Sequence, residues 1–318
     1  MEAHGAAERL VGWAKKLNTP EVSVVMSVFN GAQNLEETLI SVLSQDGCEF
    51  EFIVVNDGST DGSGRILDEW ARRDSRLKVI HQQNTGLTRA LIRGCAEARG
   101  DFIARQDAED LSLPGRLKEQ SSFLRNHPEV VVVASGISFK APGGEWLFNV
   151  EPQEVIEISL DINSIKAPSL VGTLFRRDAY LQVGQFRSEF SVAQDLDLWL
   201  RLIEVGVCRG LGIVHYEAKM TPGGISSCRR SEQIQAATVA IDCAKRRRSQ
   251  LSELELLDAY RKVIPVKHRR TRLDHANFYY FVASCLHRNG SIAARSYYDQ
   301  ALKLNPFHLR ALFRRLTC

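Results

Sequence analysis

Asp101-Phe102-Ile103-Ala104-Arg105-Gln106-Asp107-Ala108-Glu109-Asp110 is a short apolar run that stops in a cluster of carboxylates. Phe102, Ile103 and Ala104 suit a buried strand, so Asp107, Glu109 and Asp110 are expected to emerge at its carboxyl end. In open α/β sheets that edge is where ligands bind. Three acids within four residues repel one another unless something cationic sits among them. A divalent metal holding a diphosphate meets that need, because hard cations take carboxylate and phosphate oxygens. The alternative for this segment by itself is a solvated acidic loop.

Working outward, residues 22–28 (Val-Ser-Val-Val-Met-Ser-Val) read as a strand by length and β-branched content. A helical pattern over 33–45 puts Leu35, Leu39, Val42 and Leu43 on one face. A strand at 50–56, a helix at 63–73, a strand at 77–81 and a helix at 86–98 lead into the strand at 101–105. Such alternation predicts an α/β fold with a parallel sheet. A helix from Pro114 to Asn126, a strand at 130–134, a hairpin turn at Pro142-Gly143-Gly144, extended chain at 169–175 and 211–216, and a helix at 194–205 complete this part. Beyond about residue 230 the pattern is helical, with breaks at Asn289-Gly290 and Asn305-Pro306. The region 276–316 reads as a plain helical cap or as a single tetratricopeptide-like pair.

The chain of 318 residues has room for one large domain or two smaller ones, at about 100–200 residues each. Its 44% hydrophobic and 25% charged residues are those of an ordinary globular protein. No apolar run approaches the roughly 20 residues needed to cross a bilayer, and Met1 to Leu17 has no signal-peptide core. The seven scattered cysteines lack metal-ligand spacing and read as reduced, largely buried thiols. A cytoplasmic protein is expected. The net charge of +3 hides two basic runs, Lys245-Arg246-Arg247-Arg248 and Lys267-His268-Arg269-Arg270-Thr271-Arg272. These suit an anionic membrane surface or, as readily, a solvated helix face. Nucleic acid is not an expected partner.

Further motifs stand in order along the chain. Val-Ser-Val-Val-Met-Ser-Val-Phe-Asn is followed by Ser-Val-Leu-Ser-Gln, then by Asn56-Asp57-Gly58-Ser59-Thr60-Asp61, then by Asn-Thr-Gly-Leu-Thr-Arg-Ala. The acidic segment, Pro-Gly-Arg-Leu and Gln194-Asp195-Leu196-Asp197-Leu198-Trp199 come next. Order and context resemble glycosyltransferase family 2 over residues 21–227. The resemblance implies a GT-A (Rossmann-like) mostly parallel sheet flanked by helices, with a C-terminal all-helical extension. It divides the chain into an N-terminal segment 1–20, a transferase domain 21–229 and a helical region 230–318.

The resemblance also implies roles. Ser27 and Phe29 would lie against the nucleotide, Phe29 offering an apolar face to the base. Asp57 would accept the uracil N–H, as an acceptor-only carboxylate can. Arg89 falls where a basic residue near the donor is found, or is a helix-surface arginine. Asp107 would bind ribose or metal, and Glu109 would be the direct ligand of Mn²⁺ or Mg²⁺. Glu109 departs from the family's second Asp, and its extra methylene carries the carboxylate about 1.5 Å further. Asp195 would be the general base, with helix capping as a compatible second role. Gln194 and Trp199 fall on the acceptor side, Trp199 having core anchoring as its alternative. Lys219 stands in for a basic residue that the family places near the diphosphate. Gly223-Gly224 would make a mobile lid, and His215 is expected to pack at a strand end.

The implied activity is inverting transfer of one sugar per encounter, hexosyl- or N-acetylhexosaminyl-type. It runs from a nucleotide-sugar, a UDP-sugar first, to a saccharide or lipid-linked hydroxyl in surface polysaccharide or glycan synthesis. The basic tail would touch the inner membrane leaflet. Two other readings remain: a degenerate, non-catalytic GT-A binding module, and a sugar nucleotidyltransferase. The latter lacks its Gly-rich basic loop at Phe29-Asn30-Gly31-Ala32.

Overall fold

β-Branched segments separated by amphipathic helices form the first half of the molecule. A computed structural model describes residues 19–163, 167–169, 171–222, 230–262, 271–316 and 318. Strands β1 (Val22–Val28), β2 (Phe50–Asp57), β3 (Leu77–Gln82) and β4 (Phe102–Asp107) alternate with helices α1 (Leu35–Leu43), α2 (Ser63–Arg73) and α3 (Leu87–Ala96). The four strands pair in parallel in the order β3-β2-β1-β4. Because side chains alternate along a strand, Val22, Val24, Met26 and Val28 of β1 enter one core with Leu35 and Leu39. Val25 points the other way, into a second core with Ile53, Leu91 and Ile103. Gly94 lets α3 lie against the sheet: a Cβ there would stand 2.7 Å from Val25 Cγ1.

The second half closes over the first. It comprises β5 (Leu111–Ser112), α4 (Arg116–Asn126), β6 (Val130–Lys140), β7 (Trp146–Val150), β8 (Thr173–Arg176), α5 (Arg177–Gln182), α6 (Gln194–Leu202) and β9 (Val207–Lys219). Strand β8 is antiparallel to both β4 and β6, β9 runs parallel to β6, and β5 is antiparallel to β9. The path is therefore β3-β2-β1-β4-β8-β6-β9-β5, with β7 hairpinned onto β6. Only residues 108–110 separate β4 from β5, although the two stand at different places on that path. The sheet must curl until the end of β9 meets the end of β4.

Two strands are longer than the sequence pattern predicts: β6 continues to Lys140, and β9 begins at Val207. Their glycines mark close approaches rather than strand ends. A Cβ on Gly136 would lie 3.2 Å from the Ile213 carbonyl oxygen, and one on Gly210 only 2.3 Å from that of Gln153. The region 169–175 yields a shorter strand, 173–176.

The helical C-terminal part consists of α7 (Arg230–Arg248), α8 (Leu254–Arg261), α9 (Arg272–Arg288), α10 (Ala294–Leu304) and α11 (Leu309–Leu316). Ala236, Ala240, Ile241 and Leu257 of α7 and α8 join the core of Val25 and Trp199. Helices α9 to α11 form a separate cluster against Ala141 and Leu147 of the β6–β7 hairpin, through Phe278, Val282, Leu286 and Tyr298. The basic run 245–248 is partly engaged within the molecule, Lys245 and Arg248 remaining exposed. Arg247 pairs with Glu204 at 2.9 Å and also with Glu253, Arg246 lies 3.5 Å from Glu255, and Lys245 3.5 Å from Asp242. In the second basic run, residues 267–270 lie outside the described residues, as does Gly223-Gly224. Among the described cysteines, Cys95, Cys208, Cys243 and Cys285 are buried free thiols. Among the described residues, no helix is long and apolar enough to cross a membrane.

His215 packs within β9 rather than at its end, buried between Ser135 Oγ at 3.2 Å from Nδ1 and Glu119 Oε2 at 3.2 Å from Nε2. Burial holds its pKa below the usual imidazole value, although Glu119 pulls the other way. The unfolded chain therefore takes up this proton first as pH falls, so the contribution is complete above about pH 6.5 and fades below it. Urea unfolding of His215→Gln should show a smaller loss of stability between pH 7.5 and pH 5 than the parent chain. An equal loss in both proteins would assign the pH dependence to other groups.

Candidate active site

The carboxyl ends of β1, β2, β4 and β9 form one edge. Ser27 stands in register beside Asp107 on one side and Val55 on the other. Phe29, just past β1, exposes its ring. The loop after β1 is latched to the loop after β2. The Asn30 N–H donates to Ser59 Oγ at 3.0 Å, the Ala32 N–H to Asp61 Oδ2 at 2.9 Å, and the Thr60 N–H to Asn30 Oδ1 at 2.8 Å. Asn30 takes a left-handed φ of 54°, which Asn tolerates better than most residues.

Asp57 is buried and already engaged. Its Oδ1 accepts from Gln82 Nε2 at 2.7 Å and from the Thr85 N–H at 2.8 Å, and its Oδ2 accepts from the Gly86 N–H at 2.9 Å. Its first task is thus to hold the loop before α3, with acceptor capacity left on Oδ2. Arg89 lies exposed in the first turn of α3.

The acids at the end of β4 meet cations supplied by the protein itself. Arg105 is buried and pairs with Asp107, two residues on and therefore on the same face of the strand. The Asp107 N–H donates to the Tyr216 hydroxyl at 3.0 Å. Beneath them Arg116, fully buried, donates to Gln106 Oε1 at 3.0 Å and to the Arg105 carbonyl at 2.7 Å. Its guanidinium also stacks 4.9 Å from the centre of the Tyr216 ring. Asp110 is buried, and its Oδ1 accepts the Lys219 N–H at 3.0 Å. Burial, with the Asp107 charge adding to it, pushes the Asp110 pKa up to about 7. Burial likewise raises that of Glu109, opposed by the Lys219 charge and reinforced by Asp107. The Lys219 ammonium donates to Asn34 Oδ1 at 3.1 Å, tying β9 to the start of α1.

Asp195 enters from the first turn of α6, behind Ala193 at a left-handed φ of 54°. Its Oδ1 accepts the Leu196 N–H at 2.9 Å. Burial raises its pKa against that hydrogen bond, while the Asp107 charge raises it further and the Arg105 charge lowers it. Carboxylates 88 positions apart in sequence therefore share one electrostatic neighbourhood. Gln194 is buried beside it. Asp197 is a structural residue, paired with Arg201 at 2.5 Å and Arg187 at 3.4 Å. Trp199 is also buried, edge-on to Phe175 at 5.8 Å and donating its indole N–H to the Pro168 carbonyl at 3.0 Å. It anchors α6 in the core, which corrects its assignment to the acceptor.

Among the described residues no group of three or more His, Cys, Asp or Glu is set around an ion position. A cation that is shared with substrate phosphates needs only one or two carboxylates. Asp107, with one oxygen beyond its pair with Arg105, and the neighbouring Glu109 fit that more modest demand. Arg105 and Tyr216 are site residues that the sequence reading passed over. The signal for Arg105 was a charge inside an apolar strand, two residues from an acid.

Comparison with known proteins gives the family and the fold. The family model described as Glycosyl transferase family 2 matches residues 23–184. The putative glycosyltransferase EpsE of Bacillus subtilis is 36% identical over 197 residues, covering 59% of this chain and 68% of that protein. The amylovoran biosynthesis glycosyltransferase AmsE of Erwinia amylovora is 30% identical over 190 residues, covering 58% and 70%. Among solved structures, S. aureus TarS (residues 1–349) with UDP superposes at a TM-score of 0.56 and 18% identity, covering 94% of this chain and 92% of that one. Mannosyltransferase PcManGT of Pyrobaculum calidifontis, with GDP-Man and Mn²⁺, gives a TM-score of 0.55 at 18% identity, covering 99% and 96%. Both share the GT-A architecture.

Arg105→Met removes the buried cation from among three acids. Breaking such a pair should destabilise the fold by about 1–3 kcal/mol at neutral pH, because Asp107 keeps some contact with water. Chemical unfolding measures this, and a variant as stable as the parent would show that the acids do not depend on Arg105.

Proposed function

Because the chain belongs to glycosyltransferase family 2, we propose that it is an inverting, metal-dependent transferase of a hexosyl or N-acetylhexosaminyl unit from a nucleotide-sugar. The observation that supports this reading is that Asp107 and Glu109 stand at the end of β4 beside Lys219 of β9, with Asp195 of α6 within electrostatic reach of Asp107. A UDP-sugar is the first donor to test, since TarS was crystallised with UDP. PcManGT, crystallised with GDP-Man, makes a GDP-sugar the second. In this reading Phe29 stacks on the base, Ser27 and Asp57 line the nucleoside, and Arg89 approaches from the rim. Lys219 faces the diphosphate.

Asp107 and Glu109 would hold Mn²⁺ or Mg²⁺ together with the diphosphate oxygens. When bound, the ion neutralises charge that builds on the leaving nucleoside diphosphate. Asp195 takes the proton of an acceptor hydroxyl as that oxygen attacks the anomeric carbon. The bond from that carbon to the diphosphate oxygen breaks on the opposite face, so the configuration inverts. Burial beside Asp107 suits the task, because a raised pKa makes a carboxylate a stronger proton acceptor. Gln194 lies next to this base, on the acceptor side. The acceptor we propose is a hydroxyl on a growing surface saccharide carried by a lipid, one sugar being added per encounter on the cytoplasmic side of the membrane. The amylovoran relative supports a place in polysaccharide synthesis.

Asp195→Asn should lower turnover by about 10²–10⁴ and leave donor affinity near that of the parent. Transfer or slow hydrolysis of UDP- and GDP-sugars with Mn²⁺, beside calorimetric donor binding, measures both. Unchanged turnover would remove Asp195 from the role of base. Donor binding without turnover in the parent chain would favour a binding module. Glu109→Gln should raise the Mn²⁺ concentration needed for half-maximal activity severalfold, with a parallel loss of donor affinity. A Mn²⁺ requirement that does not move would exclude Glu109 as a ligand.

A further inference from the structure

The last described helix carries its apolar side outward. In α11, Leu309, Leu312, Phe313 and Leu316 follow the i, i+3, i+4, i+7 spacing of one helix face. They are 76%, 46%, 70% and 75% exposed, and Phe307 just before the helix is 87% exposed. Ala311, fully buried, marks the side turned toward α10. At 100° per residue the apolar stripe falls roughly opposite it. Arg310 flanks the stripe on one side, while Arg314 turns toward the side of Ala311. Arg315 flanks it on the other and pairs with Asp299 of α10. Residues 299–316 hold four cations and the single acid Asp299.

A contiguous stripe of this kind marks an interaction face rather than ordinary surface. Its charge decides between occupants. A second copy of the chain would bring the same arginines against these, and like charges oppose that pairing. A bilayer with anionic headgroups complements them, taking the leucines and Phe313 into the acyl boundary while the guanidinium groups reach back to phosphate. We infer that α11 is an interfacial helix that seats the C-terminal helical cluster on an anionic lipid surface. The contact lies apart from the basic run of α7, in which Arg247 is spent on pairs with Glu204 and Glu253.

The helix is connected to the candidate site by packing. The cluster rests on Ala141 and Leu147 of the β6–β7 hairpin and touches Met220. Met220 directly follows Lys219, the last residue of β9, and its N–H donates to the Lys140 carbonyl at 2.9 Å. A membrane-seated α11 would thus hold the strand end that carries Lys219 near a lipid-borne acceptor. That last consequence, unlike the lipid contact itself, rests on the acceptor proposed above.

Flotation of the full chain with phosphatidylcholine vesicles, with and without phosphatidylglycerol, tests the inference. Binding is expected only to the anionic vesicles and should weaken with salt. Replacing both Phe313 and Leu316 by Ser should lower it tenfold or more, and Arg310→Gln by about fivefold. Circular dichroism and melting curves should match the parent, since these side chains are exposed. Equal binding to neutral vesicles, or variants that float like the parent, would overturn the inference. So would a concentration-dependent dimer that Phe313→Ser and Leu316→Ser dissolve while vesicle binding stays unchanged, which would give the face to a second copy. Donor hydrolysis without vesicles should be the same in these variants, so a failed lipid contact is distinguishable from a failed transferase reading.

Discussion

The junction between the ends of β4 and β9 sets the geometry on which the candidate site depends. Tyr216 takes the Asp107 N–H through its hydroxyl and lays its ring on Arg116, while the next stretch of β9 gives the Lys219 N–H to Asp110. Strand β5 adds the ladder that fixes this meeting, with Leu111 opposite Glu217 and Ser112 opposite Tyr216.

That junction also concentrates charge. Burial raises the pKa values of Asp110, Glu109 and Asp195, and the Asp107 charge reinforces each of these shifts. Arg105 and Lys219 answer from within the protein. A site assembled in this way keeps its carboxylates close together before any ligand arrives, because its counter-charges are covalently part of the chain. In the proposed reading, an added cation and a diphosphate would enter a field already partly balanced by Arg105 and Lys219.

Much of the site was legible as isolated pieces. The apolar run into Asp107, the Asn56-Asp57-Gly58 turn and Gln194-Asp195 each sit at an element boundary that local patterning marks well. Less legible was how thoroughly side chains would be used internally. Asp57 is saturated on one oxygen by the loop before α3, which no periodicity announces. Trp199 sits within the same motif as Asp195, yet α6 turns it into the core beside Phe175. Four residues along a helix carry a side chain about 40° around the axis, and the depth of the surrounding packing settles whether that direction is wet or dry.

The amino-acid sequence by itself determined the alternation of strands and helices, the two-sided burial of β1 and β2, and the breaks between α9, α10 and α11. These follow from periodicities of two and 3.6 residues and from Asn, Gly and Pro at the turns, all of which are short-range properties. Only the tertiary structure decided that residues 105–110 and 216–219 meet and that Asp195 lies within electrostatic reach of Asp107, that Arg247 of α7 is used in internal pairs, and that the stripe of α11 faces outward. Those outcomes depend on strand order and on which surfaces meet. Such long-range pairings are chosen by the free energy of the whole packed chain, and no local window of residues contains them.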